Sequence, residues 1–344
     1  MPVNRYHRQI LLPQIGEAGQ NALSEARVLL VGCGALGTHV AEQLVRSGVG
    51  FLRIADRDIV EITNLQRQML FDEKDAARQW PKALAAEERL RRINSTVKID
   101  PQVVDVHSHN AASLCQVDGS SVDLILDGTD NVATRYLLND LAVKQNFPWV
   151  YSACVGTEGR VMAVRPGVTP CLRCVFADPP AGNELPTCDS AGVLAAAAAI
   201  AASLQAVAAL RILLKQFALP KLVSFDAWTS RFHEMDLTDA RRADCPCCGL
   251  RRFDFLDSAP ADSTSTLCGR DAVQVRGDHP LELKHLATKW RSLGSVEENR
   301  FFIRCRLDSA AQTILTAFHD GRLIVQGTRD LGRAKSLYAQ FIGS

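Results

Sequence analysis

Residues 26–49, ARVLLVGCGALGTHVAEQLVRSGV, place a short apolar run directly before a glycine-rich turn and a helix-like pattern. Gly32, Gly34 and Gly37 have the G-x-G-x-x-G spacing of a strand–turn–helix unit whose backbone N–H groups face a phosphate. Asp56, nineteen residues after Gly37, closes the next apolar run, where a carboxylate can hydrogen-bond a ribose hydroxyl. These residues predict a bound nucleotide but leave NAD and ATP open, because both carry ribose and phosphates.

The sequence around this unit alternates strand-like and helix-like stretches. Helix patterns cover residues 35–47 and 76–93, and residues 222–237 read as a strand or a hairpin. Strands that alternate with helices of this length form βαβ units with a sheet covered on both faces. The pattern therefore predicts an α/β fold with a Rossmann-like, doubly wound, mostly parallel sheet.

Composition and charge narrow the functional classes. The chain has 344 residues, 47% of them hydrophobic and 22% charged, and a net charge of +1, so bulk electrostatics favour neither nucleic acid nor an anionic membrane. Residues 193–214 are apolar mainly through alanine and are interrupted by polar side chains, which favours a buried helix over a membrane span. With no apolar signal segment at the N-terminus, we expect a cytoplasmic protein whose eleven cysteines are thiols or metal ligands.

The composition changes after residue 250. We predict a first domain over residues 1–251, a polar linker over 252–266, and a small α+β module over 267–344. Asp320-Gly321, between two apolar runs, predicts a hairpin within the module. Nothing in the sequence indicates the role of this module.

The stretch DIVEITNLQRQML after the second strand separates ATP from NAD. Asn64 can hydrogen-bond a phosphate or sugar, and Arg67 can pair with triphosphate oxygens, with Lys82 as a second cation. Asp127 and Asp130 follow a later strand at the edge where such sheets bind ligands, and a carboxylate there can hold Mg²⁺. Each residue alone has a structural explanation, as a surface ion pair, a solvated lysine or a helix cap, but together they favour magnesium–ATP.

Two cysteine pairs predict a metal site. The sequence CLRC provides Cys171 and Cys174, and CPCC provides Cys245 and Cys248, a pairing typical of a tetrahedral zinc site. A closed four-cysteine site has no open coordination position, so the zinc is expected to be structural. Cys247 is an extra thiol that can in principle exchange with a neighbouring ligand.

The order of these motifs resembles the ThiF/MoeB/HesA family, the bacterial relatives of ubiquitin-activating enzymes. The matching stretches, spread over about residues 4–250, are RYHRQILL, VLLVGCGALG, NLQRQ, PK, DGTDN, CLRC, TCDSAGV, SLQA, FDAWTSRF and CPCC. The resemblance implies an adenylyltransferase that uses magnesium–ATP to activate the C-terminal Gly-Gly carboxylate of a ubiquitin-like carrier protein. The carboxylate attacks the α-phosphate, which gives an acyl-adenylate and pyrophosphate, for sulfur transfer in cofactor biosynthesis.

The resemblance also implies roles for individual residues. The nucleotide and metal roles are ribose binding by Asp56, phosphate binding by Asn64, Arg67 and Lys82, and magnesium binding by Asp130. Arg8 is expected to reach the triphosphate of a neighbouring subunit, which implies a homodimer. Cys188 is the position that can carry a thioester or take part in persulfide transfer, beside a loop over residues 178–185 that crosses the carrier's tail.

Some features depart from the family or leave alternatives open. Family members often carry Gly-Gln-Pro-Lys at the lysine, whereas this chain has Gln79-Trp80-Pro81-Lys82. The alternatives are adenylation of a peptide or small acid, a non-catalytic scaffold that binds a carrier, and an NAD-dependent oxidoreductase. The sequence does not distinguish thiamine from molybdopterin synthesis or another pathway.

Overall fold

The apolar run before the glycine loop forms a strand near the middle of an eight-stranded sheet. In this computed structural model the described residues are 5–179, 188–217, 219–258, 264–266, 271–277, 279–299, 301–310 and 312–343. The chain divides into two compact units, Met1–Ala259 and Pro260–Ser344. Each site residue predicted from the sequence belongs to the first unit.

The strands of the first unit are, in chain order, β1 Arg27–Val31, β2 Phe51–Ala55, β3 Lys98–Gln102, β4 Gln116–Val117, β5 Ser120–Ser121, β6 Leu124–Asp127, β7 Trp149–Val155, β8 Glu158–Val164, β9 Lys221–Asp226 and β10 Arg231–Asp236. The large sheet has the order β10-β9-β8-β7-β6-β1-β2-β3, and β4 and β5 form a separate small ladder. The five strands from β7 to β3 run parallel, whereas β8, β9 and β10 add antiparallel pairs.

The helices of the first unit are α1 His7–Ile10, α2 Gly16–Glu25, α3 Ala35–Ser47, α4 Glu73–Ala77, α5 Lys82–Ile93, α6 Ala111–Leu114, α7 Val132–Gln145, α8 Leu172–Val175, α9 Cys188–Ala191 and α10 Ala195–Leu213. Alternate residues of β1 point to opposite faces: Val28 and Leu30 join a core with α3, α5 and α10, and Leu29 and Val31 join one with α7. Burial on both faces explains why β1 is apolar from Val28 to Val31. The predicted doubly wound α/β fold is confirmed.

The predicted helix over residues 76–93 is wrong in its first part. The chain forms α4, turns through Gln79 at φ +45°, and begins α5 only after Pro81. Proline favours the start of a helix and lacks the N–H that a helix interior needs. Lys82 thereby becomes the first residue of α5, at the edge of the sheet where the parallel strands end.

The alanine-rich helix α10 packs on β7, β8 and α3. Its buried side is mostly alanine, which allows the helix and the sheet to approach closely. Among the described residues, α10 alone is long and apolar enough to cross a membrane. Its contacts with the sheet and with α3 are those of a core helix.

The second unit is an antiparallel six-stranded sheet with the order β11-β12-β16-β15-β14-β13. Its elements are β11 Thr264–Thr266, β12 Ala272–Arg276, α11 Leu283–Trp290, β13 Gly294–Glu298, β14 Phe302–Leu307, β15 Ile314–Phe318, β16 Arg322–Gln326 and α12 Leu331–Phe341. The helices pack with one face of the sheet around Trp290. The hairpin predicted at Asp320-Gly321 joins β15 and β16, and the α+β class is confirmed.

The segment predicted as a linker contributes to both units. Phe253 is buried in a core of the first unit, and the Phe255 N–H bonds the Asp140 side chain at 2.9 Å. Thr264–Thr266 pairs with β12 in the second unit. The polar composition of the segment concealed these contacts.

Candidate active site and metal centre

The glycine loop packs against the loop that follows β6. Gly32 has φ +91°, and a Cβ there would lie 2.7 Å from the Gly128 carbonyl group. A Cβ on Gly37 would lie 2.0 Å from Gly32 O. By contrast, the nearest atom to a Cβ on Gly34 would be Gln68 Nε2, at 3.9 Å. Gly32 and Gly37 are therefore required by packing, and Gly34 leaves open space at the N-terminus of α3.

That open space belongs to a cleft of about 900 Å³, counting its solvent-filled mouth. The polar and charged side chains that line it among the described residues are Asp56, Arg57, Asp58, Arg67, Gln68, Lys82, Asp105, Thr129, Asp130, Asn131, Thr134 and Arg135. Val104, Val106 and Val193 add apolar walls. Such mixed charge suits a ligand that combines a polyanion with a divalent cation.

Asp56 lies directly after β2, and only 9% of its surface is exposed. Its carboxylate accepts hydrogen bonds from Cys33 N at 2.6 Å and Asp58 N at 2.7 Å, so it ties the glycine loop to the end of β2. Burial raises the pKa of Asp56, and the nearby Lys82 and the two backbone donors oppose that rise. Asp56 therefore lines the cleft, and its role in ribose binding stays a prediction.

Lys82 and Arg67 bring cations to the same cleft. The Lys82 ammonium is almost fully buried and pairs with the Asp58 carboxylate at 3.0 Å. Arg67 is partly exposed, and its Nη1 donates to Thr63 O at 2.9 Å. These contacts hold both groups near the end of the parallel strands.

Asp127 is the last residue of β6 and Asp130 follows three residues later, but the two carboxylates occupy different environments. Asp127 is fully buried, accepts from the Thr129 hydroxyl at 2.8 Å, and pairs with Arg135 at 3.3 Å. Burial raises the pKa of Asp127, and Arg135 opposes that rise. Asp130 is exposed in the cleft, and Asn131, not Asp130, caps α7 by accepting from Thr134 N. Of the two carboxylates, Asp130 is the one available to a ligand.

Among the described side chains, those of Asn64 and Arg8 do not line the cleft, and that of Cys188 is not described. Asn64 is buried, and its Oδ1 accepts from Glu61 N at 3.0 Å, which closes a short 3₁₀ turn. Arg8 is exposed on α1. Cys188 begins α9, but its side chain lies outside the described residues, as do residues 180–185 of the predicted crossing loop. The roles of Asn64, Arg8 and Cys188 stay predictions.

Sequence reasoning missed several residues of the cleft. Asp58 holds Lys82, and Arg57 pairs with Asp105 at 3.2 Å. Gln68 is buried, and within the described part of the chain its Oε1 has no hydrogen-bond partner. The available signals were the second acid in ADRD and the glutamine that follows Arg67 in NLQRQ.

The predicted cysteines do come together. Cys171 and Cys174 lie at the start of and within α8, and their Sγ atoms are 3.6 Å and 3.3 Å from those of Cys245 and Cys248, respectively. All four sulfur atoms lie within 4.8 Å of one another. In a tetrahedral zinc site with four thiolates and the usual Zn–S bond length, the sulfur atoms lie about 3.8 Å apart. The four residues therefore fit a tetrahedral metal ion, while the neighbouring Cys247 lies outside this set.

Comparison with known proteins identifies similar sequences and folds. The ThiF family model matches residues 6–247. A sulfur carrier protein ThiS adenylyltransferase of Bacillus subtilis is 43% identical over 342 residues, which cover 98% of this chain and 99% of the relative. A sulfur carrier protein adenylyltransferase of Thermus thermophilus is 38% identical and covers 72% of this chain and 91% of its own length.

Solved structures share the fold at lower identity. E. coli MccB crystallised with ATP has a TM-score of 0.59 and 24% identity, and the match covers 72% of this chain and 75% of MccB. At this level of identity the likeness concerns the fold alone. MccB and the Thermus relative each match 72% of this chain, whereas the Bacillus relative matches 98% of it.

Proposed function

Because this chain belongs to the ThiF family, we propose that it is an ATP-dependent adenylyltransferase that activates the C-terminal carboxylate of a sulfur-carrier protein. The observation that carries the proposal is the 43% identity to a ThiS adenylyltransferase across 98% of the chain, including the second unit. The relatives named sulfur carrier protein adenylyltransferases do not favour a peptide substrate, a scaffold or a dehydrogenase.

The chemistry is a displacement at the α-phosphorus of ATP. A carboxylate oxygen of the carrier forms the new P–O bond, the bond to the bridging oxygen breaks, and pyrophosphate leaves with that electron pair. The nucleophile is already an anion, so the enzyme needs no general base. Positioning of the two anions and stabilisation of charge on the leaving group supply the catalysis.

The cleft residues divide this work. Asp56 is suited to bind ribose hydroxyls, and the open space over Gly34 lets a phosphate approach the N-terminus of α3. Arg67 and Lys82 supply positive charge for the leaving pyrophosphate. Asp130 is the exposed carboxylate suited to hold Mg²⁺, which when bound neutralises phosphate charge.

Asp58 has a positioning role in this scheme. Its carboxylate pairs with Lys82, so the buried ammonium has a counter-ion before a nucleotide arrives. A bound triphosphate would either share Lys82 with Asp58 or replace Asp58 as its counter-ion. The ion pair thus holds the Lys82 ammonium in place at the cleft.

The finer assignments are extensions of the same proposal. We propose that the carrier is a ThiS-like protein ending in Gly-Gly and that the reaction serves sulfur transfer for thiamine synthesis. The similarity to a relative named as a ThiS adenylyltransferase supports this choice over molybdopterin synthesis. The enzyme acts in the cytoplasm as a homodimer in which Arg8, exposed on α1, reaches the partner's nucleotide. Cys188 accepts the activated carboxylate or takes part in sulfur transfer.

The four-cysteine cluster is proposed to hold a structural zinc ion. Cys171, Cys174, Cys245 and Cys248 would supply all four ligands, so no position remains for a substrate. The metal would join the turn around α8 to the chain end of the first unit. It stands apart from the chemistry of the cleft.

ATP–pyrophosphate exchange tests the activity. The purified chain would be assayed with the thiamine-type and molybdopterin-type carriers of the same organism, and with each carrier lacking its last two residues. We expect exchange with the intact thiamine-type carrier and none with the truncated form. ATP binding without exchange in the presence of any carrier would contradict the proposal, and exchange with the other carrier alone would reassign the pathway.

A further inference from the structure

Cys247 and Cys248 are adjacent thiols next to the proposed metal centre, yet they have different neighbours. Cys248 Sγ lies 3.3 Å from Cys174 Sγ and belongs to the four-sulfur cluster. Cys247 is fully buried and also lies beside Cys171, so it is close enough to compete for the metal. The amino-acid type alone does not decide which of the two binds.

Side chains of helix α7 contact Cys247 and so make its surroundings different from those of Cys248. Asn139 Nδ2 donates a hydrogen bond to Cys247 Sγ at 3.2 Å, and the Asp140 carboxylate interacts with the same thiol. Both α7 side chains are fully buried. If Cys247 turned toward the metal, the buried amide of Asn139 would lose its sulfur acceptor, which is costly where water cannot replace it.

The same two side chains also hold the surrounding loops. Asn139 Oδ1 accepts from Leu172 N at 2.8 Å, inside the first cysteine pair. Asp140 Oδ2 accepts from Phe255 N at 2.9 Å, seven residues beyond Cys248. Asn139 therefore contacts both arms of the cluster, one through its oxygen and the other through its nitrogen.

We propose that Asn139, with Asp140 beside it, selects which of the adjacent thiols of Cys247 and Cys248 binds the metal. This proposal rests on the proposed metal centre. The pair holds Cys247 on α7 and leaves Cys248 as the fourth ligand. Asn139 and Asp140 are thus outer-shell positioning residues of the metal site, acting through a thiol that is not itself a ligand.

Zinc release to a chromogenic chelator, measured on the full chain, tests this selection. In the wild-type background we expect Cys248→Ser to release zinc at least about ten-fold faster than the unmodified protein, because one of four ligands is lost. Cys247→Ser should stay within about two-fold of the unmodified protein. Equal loss from the two variants would refute the selection without any change to α7.

The decisive comparison repeats these variants in an Asn139→Ala background. There Cys247 is released from α7, so we expect it to replace Cys248 and to restore most of the zinc retention that Cys248→Ser loses. Cys174→Ser is the matched control, because its neighbours in the sequence are Arg173 and Val175 rather than a second cysteine, and it should lose zinc in both backgrounds. Each comparison stays within one background, so loosening of the Leu172 contact cancels.

An identical effect of Cys248→Ser in both backgrounds would overturn the proposal. If circular dichroism shows that Asn139→Ala does not fold, the Asn139→Asp background replaces it, since that side chain keeps its size and the oxygen that accepts from Leu172 N but loses the amide that donates to Cys247. The readout is zinc retention, so its outcome is independent of whether the chain adenylates a carrier.

Discussion

Gly34 and Gly37 belong to one motif, yet we expect alanine to lower the stability of the fold at Gly37 and to weaken ATP binding at Gly34. A Cβ on Gly37 would lie 2.0 Å from Gly32 O, a backbone atom that cannot move alone. Such overpacking costs about 3 kcal/mol of unfolding free energy. For a unit of this size the cost corresponds to a decrease in Tm of roughly 6–12 °C.

Gly34→Ala meets no atom closer than 3.9 Å in the cleft. Loss of glycine at the helix N-cap costs about 1 kcal/mol, and the smaller entropy of the unfolded chain offsets part of it. The added methyl group occupies the space through which a phosphate approaches the backbone. We therefore expect a Tm close to that of the wild type and ATP binding weakened at least about ten-fold, a loss of roughly 1.4 kcal/mol.

Calorimetric unfolding and titration with ATP, carried out on both variants, check the two halves of this prediction. The carrier protein is not needed, so the result does not depend on its identity. Wild-type ATP affinity in Gly34→Ala would show that the nucleotide phosphates do not approach this loop. A wild-type Tm in Gly37→Ala would show that the contact with Gly32 can relax.

Three further predictions follow from the cleft and the metal centre. Asp130→Ala should abolish exchange without lowering Tm, because this carboxylate is exposed and does not cap α7; retained exchange would exclude its magnesium role. Asp127→Ala should instead cost about 3 kcal/mol, because it removes the buried carboxylate that pairs with Arg135 and accepts from Thr129. Lys82→Met should lower the exchange rate at least about 100-fold, and exchange at the wild-type rate would exclude a role of this cation in the reaction. The variant should also lower the free energy of unfolding in urea by about 1–3 kcal/mol, because Asp58 and the buried Asp56 both lose a nearby cation. Removal of zinc by a strong chelator should lower Tm sharply, since a structural site contributes on the order of 10 kcal/mol, and an unchanged Tm would argue against a metal in the cluster.

The parts of the fold that the sequence determined by itself follow from the spacing of residues close together in the chain. The glycine spacing, the apolar runs and the two C-x-x-C pairs each involve residues only a few positions apart. Such local patterns determine the conformation of the backbone around them. From them follow the doubly wound α/β fold, the cleft at the ends of β1 and β2, and the four cysteines that meet. The family resemblance drew on the same local motifs and proved correct.

Only the tertiary structure decided which side chains face a ligand. Asp127 is the last residue of β6 and Asp130 follows three residues later, but the first is buried with Arg135 and the second is exposed in the cleft. Asn64 turned inward to close its own turn, and Asp58, unnoticed in the sequence, holds Lys82. The direction of a side chain beyond a strand end depends on partners far away in the chain, and no local pattern contains them. The same reason separates Cys247 from Cys248, because the partner of Cys247 is Asn139, 108 residues earlier.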